Sequence, residues 1–164
     1  MIEILPETPA LHAAAIEDLF DRTFGPGHFA KTAERLREYS ASVPGVIRVA
    51  VVDKNTVIGV CRVWPLKVGP NGDRALFYGP VAVSPAWRGS ELGLKLTEAA
   101  LEAGKAAGWP AAVLIGAPEY FGRIGFEVTP RGRLTFTGPQ DQSRVMVMDL
   151  AGDASALEGL VTGA

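Results

Sequence analysis

Cysteine is almost absent from this chain of 164 residues. Cys61 stands alone, so no internal disulfide can form, and a reducing, cytoplasmic setting fits that usage. Its place inside a β-pattern, with no histidine motif nearby, reads as a small buried hydrophobe rather than a nucleophile. Histidine is nearly as scarce: His12 and His28 are isolated, their spacing matches no metal site, and they read as surface or internally satisfied residues. No basic block is present, and 16 Lys and Arg against 18 Asp and Glu leave a net charge of −2. That balance argues against a nucleic-acid backbone or an anionic membrane as the main partner. No apolar run nears the roughly 20 residues that span a bilayer. The opening MIEILPETP lacks the basic start and cleavage pattern of a signal peptide. Neither a Gly-Lys-Ser/Thr phosphate loop nor a complete Gly-x-Gly-x-x-Gly fingerprint occurs, which sets nucleotide-binding enzymes aside. With no repeat, low-complexity tract or linker either, residues 1–164 are expected to form a single domain.

What is present is an alternation of strand and helix patterns. Met1 to Leu5 is a short apolar segment closed by Pro6, expected as an edge strand. Thr8-Pro9 marks a helix start, with Thr8 as N-cap and Pro9 in the first turn. Leu11, Ala15, Ile16, Leu19 and Phe20 carry that helix to about Arg22, and Gly25-Pro26-Gly27 stops it. Phe29, Ala33 and Leu36, with charged residues between them, predict a second, shorter helix. Val46 to Val52 and Thr56 to Trp64 are β-branched runs joined by Asp53-Lys54-Asn55, a hairpin. Pro65 to Arg74 reads as a turn region before the strand from Ala75 to Val83. After the central helix, Ala111 to Ile115 is a short apolar strand. Phe126 to Val128 and Leu134 to Phe136 predict short strands around the Arg131-Gly132-Arg133 turn. Arg144 to Leu150 is a last strand, and the tail from Ala151 is expected to be partly loose.

The stretch from Leu76 to Gly108 organises the rest. An apolar run breaks at Ser84-Pro85, turns through Trp87-Arg88-Gly89-Ser90 and becomes a long helical pattern. Glu91, Lys95, Glu98, Glu102 and Lys105 form a polar stripe; Leu92, Leu96, Ala99, Ala103 and Ala106 form the opposite face. Ser90 as N-cap and Gly108-Trp109-Pro110 as a stop bound the helix at about Glu91 to Ala107. Its start is open: about four N–H groups lack intrahelical partners and about half a positive charge collects there, the physical basis of a phosphate site. A strand-helix-strand crossover makes the flanking strands parallel, so pairing switches from antiparallel to parallel around the strand that precedes this loop.

This strand, loop and helix resemble the central acyl-CoA-binding motif of the GNAT superfamily of N-acetyltransferases, whose loop reads Arg/Gln-x-x-Gly-x-Gly/Ala. Here it reads Arg88-Gly89-Ser90-Glu91-Leu92-Gly93. A second segment, Gly116-Ala117-Pro118-Glu119-Tyr120-Phe121 leading to Gly125-Phe126, is similar to a subgroup with paired aromatics after a Gly-x-Pro turn. The resemblance implies a mixed, mostly antiparallel sheet of about six or seven strands flanked by helices and splayed between its central strands. It implies acetyl-CoA, or another acyl-CoA, as co-substrate, with no metal. The carrier would be bound by Val81, Ala82 and Val83 and by the loop and helix start Arg88, Gly89, Ser90, Glu91, Leu92, Gly93 and Leu94. It implies transfer of an acetyl or other short acyl group to a primary amine of a small molecule or peptide, and leaves room for a homodimer.

Two residues depart from the pattern. Glu91 stands where the first motif glycine belongs: either it points outward along the polar stripe towards Lys95, or its carboxylate faces the diphosphate. The tyrosine that protonates the leaving thiolate in the family falls at Phe121, four residues before Gly125, so the adjacent Tyr120 is the candidate acid. The strand from Ala75 to Val83 holds no carboxylate base. Asp73, Tyr78 and Glu119 are near enough in sequence to be considered, and a water relay or a neutral amine would serve instead. A non-catalytic acyl-CoA-binding domain is the rival reading, favoured by Glu91 and Phe121.

Overall fold

The structure, a computed structural model, describes residues 2–7, 9–24, 46–52, 56–136 and 141–163. The second helix expected around Phe29 to Leu36 lies outside them. The strands are β1 (Glu3–Pro6), β2 (Arg48–Val52), β3 (Thr56–Val68), β4 (Asp73–Val83), β5 (Ala111–Ile115), β6 (Glu127–Val128), β7 (Leu134–Thr135), β8 (Val145–Asp149) and β9 (Gly159–Gly163). The helices are α1 (Pro9–Phe24), α2 (Leu92–Ala106) and the single turn α3 (Pro118–Phe121). The sheet runs β1-β2-β3-β4-β5-β8-β6, with β9 pairing both β3 and β7. Among the described residues, only β4 with β5 and β7 with β9 are parallel. The sheet is therefore mixed and mostly antiparallel as expected, with nine strands among the described residues.

Two of the extra strand lengths correct the sequence reading. The segment from Ala151 is not loose: Ala154, Leu157 and Val161 are buried with Trp64, Leu66, Val68 and Phe77 in one apolar cluster. Burying a side chain of Leu or Val size contributes roughly 1.5–3 kcal/mol, so a few well-spaced apolar residues tie down a segment of polar composition. Likewise β3 does not end at Trp64 but passes through Pro65 to Val68. Pro65 is tolerated because, among the described residues, the edge of β3 away from β4 has no partner there: β2 pairs only as far as Cys61, and β9 begins at Leu66.

Side chains of the central strands divide between two cores. Leu76, Tyr78, Ala112 and Leu114 belong to the larger cluster, which holds α2; Ala75, Phe77, Ala111 and Val113 belong to the smaller one beneath β9. That is the period-two alternation of strands buried on both faces. The exposed stripe of α2 is the expected one, from Glu91 through Lys95, Glu98, Glu102 and Lys105. The buried face is rotated from the expected one: it runs through Leu92, Leu96, Ala100 and Gly104, and Ala106 is exposed. Gly59 and Gly104 let this face of the helix sit low on the sheet. A Cβ on Gly59 would come 2.8 Å from Leu96, and one on Gly104 would strike the Tyr78 hydroxyl. The helix ends as its sequence predicts, with Gly108 at φ +86° and its N–H on Lys105 O.

Candidate active site

The site starts from a defect in β4. Cys61 pairs with Val81 and Val63 with Tyr78, so Gly79 and Pro80 together oppose the single residue Arg62. This is a β-bulge, built from a glycine at φ +144° and a residue with no N–H to offer a ladder. A bulge bends its strand, and here the bend falls just where β4 leaves β5. The two strands pair only at Leu76 with Ala112 and Phe77 with Val113, although β4 continues to Val83 and β5 to Ile115. The splay expected between the central strands is present.

The far half of β4 stays on β3, through Cys61 with Val81, Val60 with Ala82 and Gly59 with Val83. Ser84 N–H donates to Ile58 O at 2.7 Å in the same register. Successive residues of an antiparallel ladder turn their polar groups alternately to the partner and away. Ser84 and Ala82 therefore address β3, while Val81 and Val83 turn N–H and C=O into the gap left by β5. Of the three expected residues, two offer a free backbone edge and Ala82 does not.

The chain leaves β4 through a single helical turn, Pro85–Trp87, and enters α2 at Leu92. Ser90 does not cap the helix as expected. Its hydroxyl donates back to Trp87 O at 2.5 Å, which closes the loop on itself. The N-cap position is taken by Glu91 in the left-handed region, φ +61° and ψ +17°, with no side-chain cap bond. The helical ladder begins with Lys95 N–H on Glu91 O at 3.1 Å. The N–H groups of Leu92, Gly93 and Leu94 are thus left at the open, positive end of α2. Arg88 is exposed beside them and has no carboxylate partner among the described residues.

Glu91 points outward, but not along the helix to Lys95. Its Oε1 lies 2.5 Å from Nη2 of Arg123, a residue of the turn that follows α3. Both side chains are about half exposed, at 52% and 51%. Sequence reasoning missed Arg123 because a partner 32 positions away leaves no periodic signal.

The two aromatics of α3 divide their work. Their ring centroids are 4.9 Å apart with planes at 87°, so they face different surroundings. Phe121 packs over Gly116, where a Cβ would come 2.7 Å from its ring, and edge-on to Phe126 at 6.4 Å. Tyr120 turns to the start of α2: a Cβ on Gly93 would come within 3.0 Å of its hydroxyl, 3.6 Å of Val81 Cγ1 and 3.7 Å of Val83 Cγ2. The far half of β4, the open helix end and a phenol thus meet around Gly93, beside the opening where β4 leaves β5.

Other residues considered for chemistry are elsewhere. Tyr78 is buried, donates its hydroxyl to Ala100 O at 3.2 Å, and is pushed well above the ordinary phenol range by that burial. It cannot serve as a base. Asp73 opens β4 at the opposite end from Val83. Glu119 is exposed on α3. Cys61 is fully buried and its thiol is pushed up to about 12 by desolvation, against a hydrogen bond with Thr97. That is the inert state of a buried thiol. His12 is buried on α1, and His28 lies outside the described residues. Among the described residues no cluster of His, Cys, Asp or Glu could hold a metal ion, and no helix is long and apolar enough to cross a membrane.

Residues 13–126 match the acetyltransferase (GNAT) family. Over 152 residues the chain is 31% identical to YhbS of Escherichia coli strain K12, described as an uncharacterized N-acetyltransferase, covering 92% of this chain and 90% of that one. The crystal structure of E. coli YhbS in complex with CoA superimposes with a TM-score of 0.81 at 30% identity, covering 100% of this chain and 89% of that one. A GNAT family acetyltransferase from Brucella melitensis, in complex with acetyl-CoA, shares the fold with a TM-score of 0.73 at 23% identity, covering 100% of this chain and 96% of that one.

Proposed function

The chain belongs to the acetyltransferase (GNAT) family, and on that premise we propose that it moves an acetyl or other short acyl group from acyl-CoA directly to a primary amine of a small molecule or peptide. The observation that carries the proposal is the parting of β4 from β5 beside an uncapped helix start. The structural relatives from E. coli and B. melitensis hold CoA and acetyl-CoA, which supports the same class of carrier here.

On this reading the carrier's diphosphate takes the N–H groups of Leu92, Gly93 and Leu94 and the turn Arg88-Gly89-Ser90-Glu91, with Arg88 as counter-charge. The pantetheine arm lies along β4, hydrogen-bonded to the backbone of Val81 and Val83 while Ala82 holds the strand to β3. The amine's lone pair attacks the thioester carbonyl; a C–N bond forms and the C–S bond breaks. Tyr120 gives its phenolic proton to the departing thiolate and recovers one from water. The proton shed by the amine goes to water as well, because the strand from Ala75 to Val83 supplies no carboxylate. The whole chain is taken as one domain that needs no metal and works in a reducing cytoplasm.

A non-catalytic acyl-CoA-binding domain is the second reading, favoured by Glu91 at the glycine position and Phe121 at the usual tyrosine position. Against it stands the placement of the Tyr120 hydroxyl beside Gly93. The two readings separate in one experiment. Thermal unfolding with CoA, acetyl-CoA and longer acyl-CoAs is followed by thiol release in the presence of a panel of primary amines. Stabilisation with amine-dependent thiol release supports the transferase. Stabilisation without release supports the binding domain, and no stabilisation by any of the thioesters removes both.

A further inference from the structure

A carboxylate at the N-cap of α2 is a liability for a diphosphate site. At the few ångströms that separate an N-cap side chain from an anion on the first turn, two like charges repel, and more strongly where solvent is excluded. The structure shows where that charge goes. Glu91 Oε1 is held at 2.5 Å by Arg123 Nη2, and Arg123 comes from the segment that carries Tyr120, three positions earlier in the chain. Two contacts therefore dock this segment on the start of α2: the ion pair between Glu91 and Arg123, and the approach of the Tyr120 hydroxyl to Gly93.

The left-handed backbone of Glu91 belongs to the same arrangement. At φ +61° it turns the side chain away from the axis of α2 and out over the turn that follows α3. In the acyl-CoA-binding motif that this loop resembles, a glycine occupies the position; here a charged side chain does, and a cation 32 positions on meets it. The carboxylate at the glycine position and the cation that meets it make physical sense together.

We propose that Arg123 is a positioning residue of the carrier site, which through its ion pair with Glu91 neutralises the carboxylate at the mouth of α2 and holds the Tyr120 turn against Gly93. The proposal rests on the transferase reading of the same opening and adds to it the residue that makes Glu91 compatible with an anionic carrier. Its consequence is a sign rule. Removing Arg123 alone leaves an unpaired carboxylate at the mouth of the diphosphate site, whereas removing both members leaves no charge to repel the carrier.

The test is a double-mutant cycle read by calorimetric titration of CoA at low ionic strength, into wild type, Arg123→Ala, Arg123→Lys, Glu91→Gln and the double variant Glu91→Gln/Arg123→Ala. Both side chains are half exposed, so all variants are expected to fold, and unfolding curves check this. Arg123→Ala is expected to bind CoA about tenfold more weakly, a difference of about 1.4 kcal/mol. Arg123→Lys retains most of the affinity, the double variant returns to within about twofold of wild type, and Glu91→Gln supplies the remaining corner of the cycle. The weakening in Arg123→Ala shrinks at about 1 M salt, where the Debye length falls to about 3 Å. Unchanged affinity in Arg123→Ala, or a double variant as weak as Arg123→Ala, overturns the proposal and leaves the transferase reading standing. No binding of CoA by wild type overturns both.

Discussion

The hydroxyl of Tyr120 lies 3.0 Å from the point where a side chain on Gly93 would begin. Gly93 is the second residue of α2, and the same point is 3.6 Å and 3.7 Å from the side chains of Val81 and Val83. The phenol, the two valine side chains of the far half of β4 and the start of the helix thus meet at Gly93.

A phenol in that position that protonates a leaving thiolate should matter to turnover and little to binding. Tyr120→Phe is expected to lower kcat for amine-dependent thiol release from acetyl-CoA by about 10²-fold, the low end for general acid catalysis. The affinity for CoA should stay within a factor of about two. The neighbouring Phe121→Tyr variant should not restore the loss, because that ring packs over Gly116 and Phe126. Unchanged kcat in Tyr120→Phe would assign proton delivery to water.

Filling the opening is the complementary experiment. Gly93→Val adds atoms where Tyr120, Val81 and Val83 already converge, so it should abolish stabilisation by CoA. For wild type that stabilisation amounts to about 2.7 kcal/mol when CoA is at about 100 times its Kd. Gly93 is buried, so the unliganded variant is expected to lose some stability as well, and the measurement is the shift that CoA adds to the variant's own unfolding temperature. Full CoA stabilisation of Gly93→Val would move the carrier elsewhere.

Much of this site was legible because its signals are local. The stripe of α2 from Glu91 to Lys105 and the stop at Gly108 follow from spacing within a few residues, and the parallel placing of β4 and β5 follows from the strand-helix-strand order. The cause of the splay was equally local but passed unread: Gly79-Pro80 inside an apolar run is the sequence mark of a bulge. Other features had no local mark. Arg123 meets Glu91 from 32 positions away. The closing strand β9 exists because Leu157 and Val161 find the cluster around Trp64 and Phe77, which composition alone does not reveal. Which of Tyr120 and Phe121 faces the opening depended on where α3 docks, and Gly116 decides it by making room for the Phe121 ring.

Gly104 and Tyr78 make a sharp test of the close approach of α2 to the sheet. Alanine is a better helix former than glycine by about 1 kcal/mol, so propensity alone predicts that Gly104→Ala stabilises the protein. The structure predicts the opposite sign, because the new Cβ would strike the Tyr78 hydroxyl. Overpacking of this kind costs about 1–3 kcal/mol. Adding Tyr78→Phe to Gly104→Ala should recover part of the loss, although it gives up the hydrogen bond to Ala100 O. Urea unfolding of the two single variants and the double variant reads the coupling.

Cys61 predicts a pH dependence. Its thiol, ordinarily near 9.0, is raised to about 12 by burial. In that interval the unfolded chain loses a proton that the folded chain keeps, so deprotonation favours unfolding and stability falls as pH rises. Tyr78 is shifted the same way. The part due to Cys61 is isolated by comparison with Cys61→Ala: the stability advantage of wild type over that variant should shrink as pH rises from about 9 towards about 12. An advantage that stays constant across the interval would mean that the thiol reaches water in the folded state.

Glu91 offers a test of backbone conformation that is independent of any ligand. Its φ of +61° is one that a residue with a Cβ adopts at a cost of roughly 1–2 kcal/mol and glycine adopts freely. Loss of helix stability on Glu91→Gly, the ordinary expectation for a helical position, does not apply here. The comparison of Glu91→Gly with Glu91→Ala is the informative one, since both remove the carboxylate and its ion pair with Arg123. At a position inside a helix the alanine variant would be the more stable by about 1 kcal/mol. At this N-cap the glycine variant should be the more stable by about that amount, because alanine keeps the left-handed strain and glycine removes it. Denaturant unfolding of the two variants without CoA gives the sign directly, and an alanine variant more stable than the glycine variant would place Glu91 in the right-handed helix instead.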